Sequence, residues 1–292
     1  MTAGSHVPGT PRADALVAPA AGRPRIAGVL LDVDDTLVDT RGAFADAMAE
    51  IARTYLPSLP EEQHADVLAV WRRDAGGHYR AYTRGEQSFR EQRMTRANEL
   101  MAAFGGPVLD DAGFDAWDVV FEAAFADAWR AFPEAAAAVE ALLGAGVAVG
   151  ALSNAATDYQ VRKLAAVGLG ERVPMLVGID VLGVGKPDPR VFLEAARRLG
   201  TDPAETLYVG DELDIDAGGA VRAGLQGAWL DRPGARRGGA HPEDPAAAEA
   251  AGIAVVASLT EVVGLVGQGP AGTVGQGPAG ARADFGARPI VG

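Results

Sequence analysis

Ile26-Ala27-Gly28-Val29-Leu30-Leu31-Asp32-Val33-Asp34-Asp35-Thr36-Leu37 sets an apolar, β-prone run against three carboxylates and a threonine. Read as a buried parallel strand, the run places Asp32, Asp34 and Thr36 on one side of its carboxyl end by side-chain alternation. Carboxylates crowded at the exit of a buried strand repel one another. Such crowding persists when a cation sits among them or when one of them is reactive.

Outward from this strand, segments of strand and helix character alternate. Glu134–Leu143 reads as a helix ended by Gly144, and Val147–Leu152 as a buried strand ending at Ser153-Asn154. Asp158–Val167 is helical, Pro174–Ile179 a weaker strand, and Pro189–Leu199 helical. Thr206–Gly210 is a strand ending at Asp211, and Asp214–Ala223 a helix. Gly227–Leu230 and Ile253–Val256 are short strands, and Leu259–Val266 closes the fold as a helix. The alternation predicts an α/β fold: a doubly wound, Rossmann-like parallel sheet with helices on both faces.

Residues 41–131 interrupt this pattern. Phe44, Met48, Ile51 and Tyr55 recur at helical spacing, as do Leu68 and Trp71, then Phe121, Phe125 and Trp129. The block is expected to be a helical insertion whose aromatic residues form core. That leaves residues 25–40 and 132–266 for the α/β unit. Residues 1–24 are rich in Gly, Pro and Ala without periodicity, and residues 267–292 continue a repeated Val-Gly-Gln-Gly-Pro-Ala-Gly unit that begins at Val266 and Val274. Both ends are expected to be flexible tails.

Composition narrows the class. A content of 48% hydrophobic and 22% charged residues fits a soluble globular chain. A net charge of −13 argues against binding a nucleic-acid polymer. The absence of cysteine removes disulfides, thiolate metal sites and cysteine nucleophiles, and suits a reducing compartment. No run approaches the roughly 18–20 apolar residues that cross a bilayer. The expectation is a cytoplasmic protein without a membrane partner; monomer and homodimer both stay open.

In a sheet of this kind the ligand crevice lies beyond the carboxyl ends of the strands. Those ends bring together Asp32, Asp34 and Thr36, then Ser153 and Asn154, then Asp211 with Asp214 and Asp216 close behind. Lys186 lies in the loop Gly183–Pro189. Asp32, Asp34 and Asp211 supply hard oxygen ligands of the kind Mg²⁺ takes. Ser153 and Lys186 suit the oxygens of a phosphate. A carboxylate beside a metal and a lysine is a credible nucleophile towards phosphorus, and a second carboxylate two residues on can move the leaving-group proton.

Four motifs in order, Asp32-Val33-Asp34-Asp35-Thr36, Ser153-Asn154, Lys186-Pro187-Asp188-Pro189 and Gly210-Asp211 followed by Asp216, make the chain resemble the haloacid dehalogenase superfamily of hydrolases over residues 26–265. The resemblance implies that Asp32 is the nucleophile and Asp34 the general acid/base. It implies Mg²⁺ on Asp32, on the backbone carbonyl of Asp34 and on Asp211, with Asp216 in its outer shell. Ser153, Asn154 and Lys186 would bind the transferring phosphoryl group, with Thr36 and Arg41 as further candidate substrate contacts. The insertion resembles the family's α-helical cap; within it Trp71-Arg72-Arg73, His78–Tyr82 and Arg90–Arg93 mix aromatic and basic groups. Where the family often has glycine after the second aspartate, this chain has Asp35, whose side chain alternation points away from the pocket.

Dehalogenases of the superfamily generally lack that second aspartate, because halide leaves without a proton. Asp34 therefore favours a Mg²⁺-dependent phosphomonoester hydrolase acting on a small soluble metabolite through an aspartyl-phosphate. A phosphomutase, a 2-haloacid dehalogenase and a catalytically silent binding protein follow as alternatives, in that order.

Overall fold

The computed structural model describes residues 24–236 and 243–267. The expected tails, residues 1–24 and 267–292, lie outside them but for Pro24 and Gly267. The first strand, β1 (Gly28–Leu31), leads into an all-helical block: α1 (Thr40–Tyr55), α2 (His64–Arg73), α3 (His78–Thr83), α4 (Phe89–Phe104) and α5 (Asp111–Asp127). The chain then returns through α6 (Ala135–Gly144), β2 (Ala148–Leu152), α7 (Thr157–Ala166), β3 (Leu176–Val177), α8 (Pro189–Leu199) and β4 (Thr206–Gly210). It ends with α9 (Gly218–Arg222), β5 (Gln226–Leu230), α10 (Pro245–Ala250), β6 (Ala254–Val256) and α11 (Leu259–Gly267). The sequence pattern gave no sign of α10, an alanine-rich helix of six residues that Asp244 caps.

The six strands form one parallel sheet in the order β3-β2-β1-β4-β5-β6. The doubly wound architecture is therefore as expected, and β1 lies at its centre. Alternation explains why β1 is apolar throughout: Val29 and Leu31 enter the core under α6 and α11, while Leu30 joins Phe192 and Tyr208 on the opposite face. No face is left for a polar residue until the strand ends. Strand β3 is only two residues long, shorter than the expected segment.

The helical block has a core of its own. Asp110 caps α5, and Phe114, Trp117, Phe121 and Phe125 follow at helical spacing, their rings 6.1, 5.5 and 5.4 Å apart in sequence. They pack with Met48 and Ile51 of α1 and Trp71 of α2. Aromatic neighbours at these separations add to the burial of their area. The entry and exit of the block lie side by side: Asp39 N–H donates to the Arg130 carbonyl at 2.9 Å, and Phe132 N–H to the Leu37 carbonyl at 3.0 Å. A second tie joins the block to the sheet unit, where Gly185 N–H donates to the Thr83 carbonyl at 2.7 Å.

After β4 the helix over Asp214–Ala223 begins differently from expectation. Leu213–Ala217 winds as a π-turn, with the Gly218 N–H reaching back to the Leu213 carbonyl, before α9 resumes the ordinary pitch. Turns of this kind hold one residue more than the α pitch allows and concentrate at functional sites.

Candidate active site

The carboxyl ends of β1, β2 and β4 converge as the strand order requires. Asp32 follows β1 directly, and its N–H still pairs with the Val209 carbonyl of β4 at 2.8 Å, so the sheet fixes its backbone. Beyond it the chain closes a tight loop, with Leu37 N–H on the Val33 carbonyl at 2.9 Å and Asp35 N–H on the Val38 carbonyl at 2.8 Å.

Lys186 is the hub. Its ammonium, 3% exposed, donates to Asp32 Oδ1 at 2.8 Å, to Asp216 Oδ1 at 2.7 Å and to the Tyr208 hydroxyl at 2.8 Å. All three N–H bonds thus have acceptors. Burial alone would lower the lysine; Asp216 and Asp32 outweigh it and hold the ammonium well above its ordinary range. The Lys186 main chain is clamped by Asn154, whose Oδ1 accepts from Lys186 N at 2.6 Å and whose Nδ2 donates to its carbonyl at 3.1 Å. The side chain of Asn154 therefore serves the lysine loop, a task its place beside Ser153 did not suggest.

Ser153 is buried at the end of β2. Its Oγ accepts from Ala155 N–H at 3.2 Å and from Gln160 Nε2 at 2.8 Å. With both lone pairs taken, the hydroxyl proton is left to donate. Asp34 is the most open of the group. Its Oδ1 accepts from Lys163 and its Oδ2 from Gln160, each at 2.5 Å. Thr36 is fully buried, and its hydroxyl has no hydrogen-bond partner among the described residues.

Asp32, Asp211 and Asp216 bring carboxylate oxygens within 4.8 Å of one another. Burial pushes Asp32 up to about 8; Lys186 opposes this, and the charges of Asp216 and Asp34 add to it. Burial and the nearby Asp35, Asp216, Glu212 and Asp32 carboxylates likewise hold Asp211 well above the usual range. A cation among these groups removes the repulsion, and an all-oxygen donor set suits a small hard ion such as Mg²⁺. Asp216 has less to offer a metal than its neighbours: Oδ1 takes Lys186 and Tyr208, and Oδ2 takes the Glu212 N–H at 3.0 Å.

Asp35 departs from the alternation argument. It adopts φ 58°, outside strand geometry, and turns to the start of α1. Its Oδ1 accepts from Thr40 N, Thr40 Oγ1 and Arg41 N at 3.0, 2.9 and 2.8 Å, and its Oδ2 from Arg41 Nε at 3.1 Å. The Arg41 guanidinium goes on to the Ala235 carbonyl and to Asp211 Oδ2, the latter at 3.2 Å. Thus Arg41 reaches the acidic cluster from the first helix of the block, with its donors engaged by protein groups.

The basic and aromatic residues of the block divide. Arg90 pairs with Asp111 and Asp115, Arg93 with Asp118 and Glu122, and His78 with Glu99, so these stitch helices together. Tyr79 and Arg72 lie in the field of the site. Tyr79 is 39% exposed, but desolvation at its hydroxyl, with the negative charges of Glu212 and Asp34, raises it above its ordinary range. Burial and then Arg41 lower Arg72, against the attraction of Asp35, Asp39 and Asp211.

The residues expected at the strand ends, Thr36 apart, thus gather in three neighbouring hydrogen-bonded groups: Lys186 with Asp32, Asn154 and Asp216, Asp34 with Ser153 through Gln160, and Asp211 with Arg41. Sequence reasoning missed Gln160, Lys163 and Tyr208. The first two share a face of α7 at i, i+3 spacing, and Tyr208 sits inside an apolar strand; only their polar atoms at otherwise buried positions could have marked them.

The ends of the central strands thus carry acidic, hydroxyl and lysine side chains side by side. The profile of the haloacid dehalogenase-like hydrolase family matches residues 26–224, and the chain belongs to that family and is a hydrolase. It is 31% identical over 243 residues to phosphoserine phosphatase of Thermus thermophilus, covering 75% of this chain and 92% of that one. It is 30% identical to N-acetylmuramic acid 6-phosphate phosphatase of Pseudomonas aeruginosa, with 76% and 87% covered. Among solved structures, the HAD-hydrolase YfnB of Bacillus subtilis superposes with a TM-score of 0.67 at 21% identity, covering 84% of this chain and all of that one.

Proposed function

We propose that the protein is a cytoplasmic, Mg²⁺-dependent phosphomonoesterase acting on a small phosphorylated metabolite through an aspartyl-phosphate. The observation that carries this reading is Asp34 two residues beyond the lysine-paired Asp32, with its carboxylate partly open. A carbon–halogen bond needs no proton donor at that place, whereas a phosphate ester does. The named phosphatase relatives, whose substrates are small phosphate esters, support the same class.

In the first step an Asp32 oxygen attacks phosphorus in line as the bridging P–O bond breaks, and Asp34 gives its proton to the departing oxygen. In the second, Asp34 takes a proton from water, the water oxygen attacks phosphorus, and the P–O bond to Asp32 breaks. Ester and water have become alcohol and inorganic phosphate, and both aspartates are restored. Ser153 donates its free hydroxyl proton to a phosphoryl oxygen, while Asn154 and Asp216 hold Lys186 against Asp32. Asp32, Asp211 and the Asp34 carbonyl would hold Mg²⁺, which would supply charge neutralisation for the transferring group. Asp216 acts from outside that shell.

The helical block, residues 41–131, serves as the cap over the crevice, and Arg72 and Tyr79 are its contacts to the substrate beyond the phosphate. Closure of such a cover excludes water and selects the substrate. A panel of phosphorylated metabolites, assayed for phosphate release with and without Mg²⁺, tests the reading beside Asp32→Asn and Asp34→Asn. Loss of release in both variants is expected; undiminished turnover in Asp32→Asn sinks the mechanism.

A further inference from the structure

Lys163 sits where an ammonium group is costly. It is 2% exposed, and its Nζ lies 5.1 to 5.5 Å from the ring centres of Phe125, Trp129 and Tyr159. The one ion pair it makes among the described residues is with Asp34. Burying a cation carries a large desolvation penalty, and an apolar side chain of the same length often fills such a space with equal or better stability. Packing alone therefore gives no reason for a lysine here. Gln160, one helical turn earlier on the same face of α7, is also fully buried and reaches the other oxygen of the same carboxylate.

Both side chains are all but closed off from solvent, so neither is placed to touch substrate. Together they act as a fork. With one donor on each oxygen, the Asp34 carboxylate cannot rotate without breaking two short hydrogen bonds, and its remaining lone pairs stay aimed away from α7. The aromatic box keeps the fork dry, and Phe125 and Trp129 tie it to the end of the helical block. Gln160 also donates to Ser153 Oγ, so the same residue orients a proposed phosphate ligand.

We propose that Lys163 and Gln160 are positioning residues that aim Asp34 at the leaving-group oxygen. This rests on the reading of Asp34 as general acid. The test compares kcat/KM, which reports the phosphorylation step, for an alkyl phosphate and for p-nitrophenyl phosphate, whose leaving group departs without a proton. Positioned proton donors contribute about 10²-fold or more. Lys163→Met is therefore expected to lose about 10²-fold on the alkyl ester and under threefold on the nitrophenyl ester. In an Asp34→Asn background, Lys163→Met should cost the alkyl ester nothing further. Lys163→Leu carries the same comparison should Lys163→Met fail to fold, as judged by circular dichroism, while Gln160→Leu should add a loss common to both esters through Ser153. Wild-type turnover with equal losses on both esters overturns the proposal alone. Wild-type enzyme that releases phosphate from neither ester overturns the phosphatase reading and the proposal with it.

Discussion

Asp35 offers a measurable contest between strain and contact. A non-glycine residue at φ 58° carries about 1 kcal/mol of conformational cost. Against this stand four hydrogen bonds from Thr40 and Arg41, one of them within an ion pair whose side chains are 21–22% exposed. At this exposure each contributes about 0.5–1 kcal/mol, or about 3 kcal/mol in all. Asp35→Gly removes the contacts and the strain, so it should destabilise by about 2 kcal/mol. Asp35→Ala removes the contacts and keeps the strain, for about 3 kcal/mol. At roughly 2–4 °C per kcal/mol for a chain of this size, calorimetry should show Tm falling about 4–8 °C for glycine and about 6–12 °C for alanine. A glycine variant that melts at or above the wild-type temperature refutes the reasoning, since the contacts would then contribute less than the strain they accompany.

Tyr208→Phe keeps the edge-on packing against Phe192 but leaves Lys186 one acceptor short and removes the single hydroxyl proton shared between the Leu152 carbonyl and Asp216 Oδ1; urea unfolding should report a loss of about 1–2 kcal/mol. Gly85 has φ 77°, and a Cβ there would lie 2.7 Å from the Gly183 carbonyl oxygen, so Gly85→Ala should weaken the tie between the helical block and the lysine loop and raise KM more than it lowers kcat. Chelation with EDTA should abolish phosphate release, and Mg²⁺ at 100 times its Kd should stabilise the fold by about 2.7 kcal/mol in thermal melts; release that survives chelation contradicts the metal assignment.

The sheet was legible because buried parallel strands advertise themselves. Val29 to Leu31 and Leu207 to Val209 are apolar on both faces, and the first polar residue after each marks its carboxyl end. Pro189–Leu199 was readable to the residue, since Asp188 caps it, Pro189 opens it and Gly200 ends it in the left-handed conformation. The supporting side chains were not legible. Lys163 and Gln160 lie on a helix whose polar residues resemble any solvated face, and their burial depends on Phe125 and Trp129, more than thirty residues away. Alternation failed at Asp35 because the backbone leaves the extended region there. Asn154 has the composition of a phosphate ligand, and only its pairing with the Lys186 main chain reveals the other use of its amide.

The π-turn at Leu213–Ala217 makes this stretch unforgiving of length. Its additional residue lets Asp216 face Lys186 while the Glu212 N–H still closes on the same carboxylate. Removing one residue would restore the α pitch and swing the next side chain about 100° around the helix axis. Gly210, where any Cβ would collide with the Asp216 carboxylate, closes the other direction of escape. Substitutions can drift along the outer surface of α9, but insertions and deletions between Gly210 and Gly218 change which atom faces the lysine. Within the family, the spacing from Asp211 to Asp216 is therefore a ruler by which a chain that keeps this lysine clamp can be told from one that has lost it.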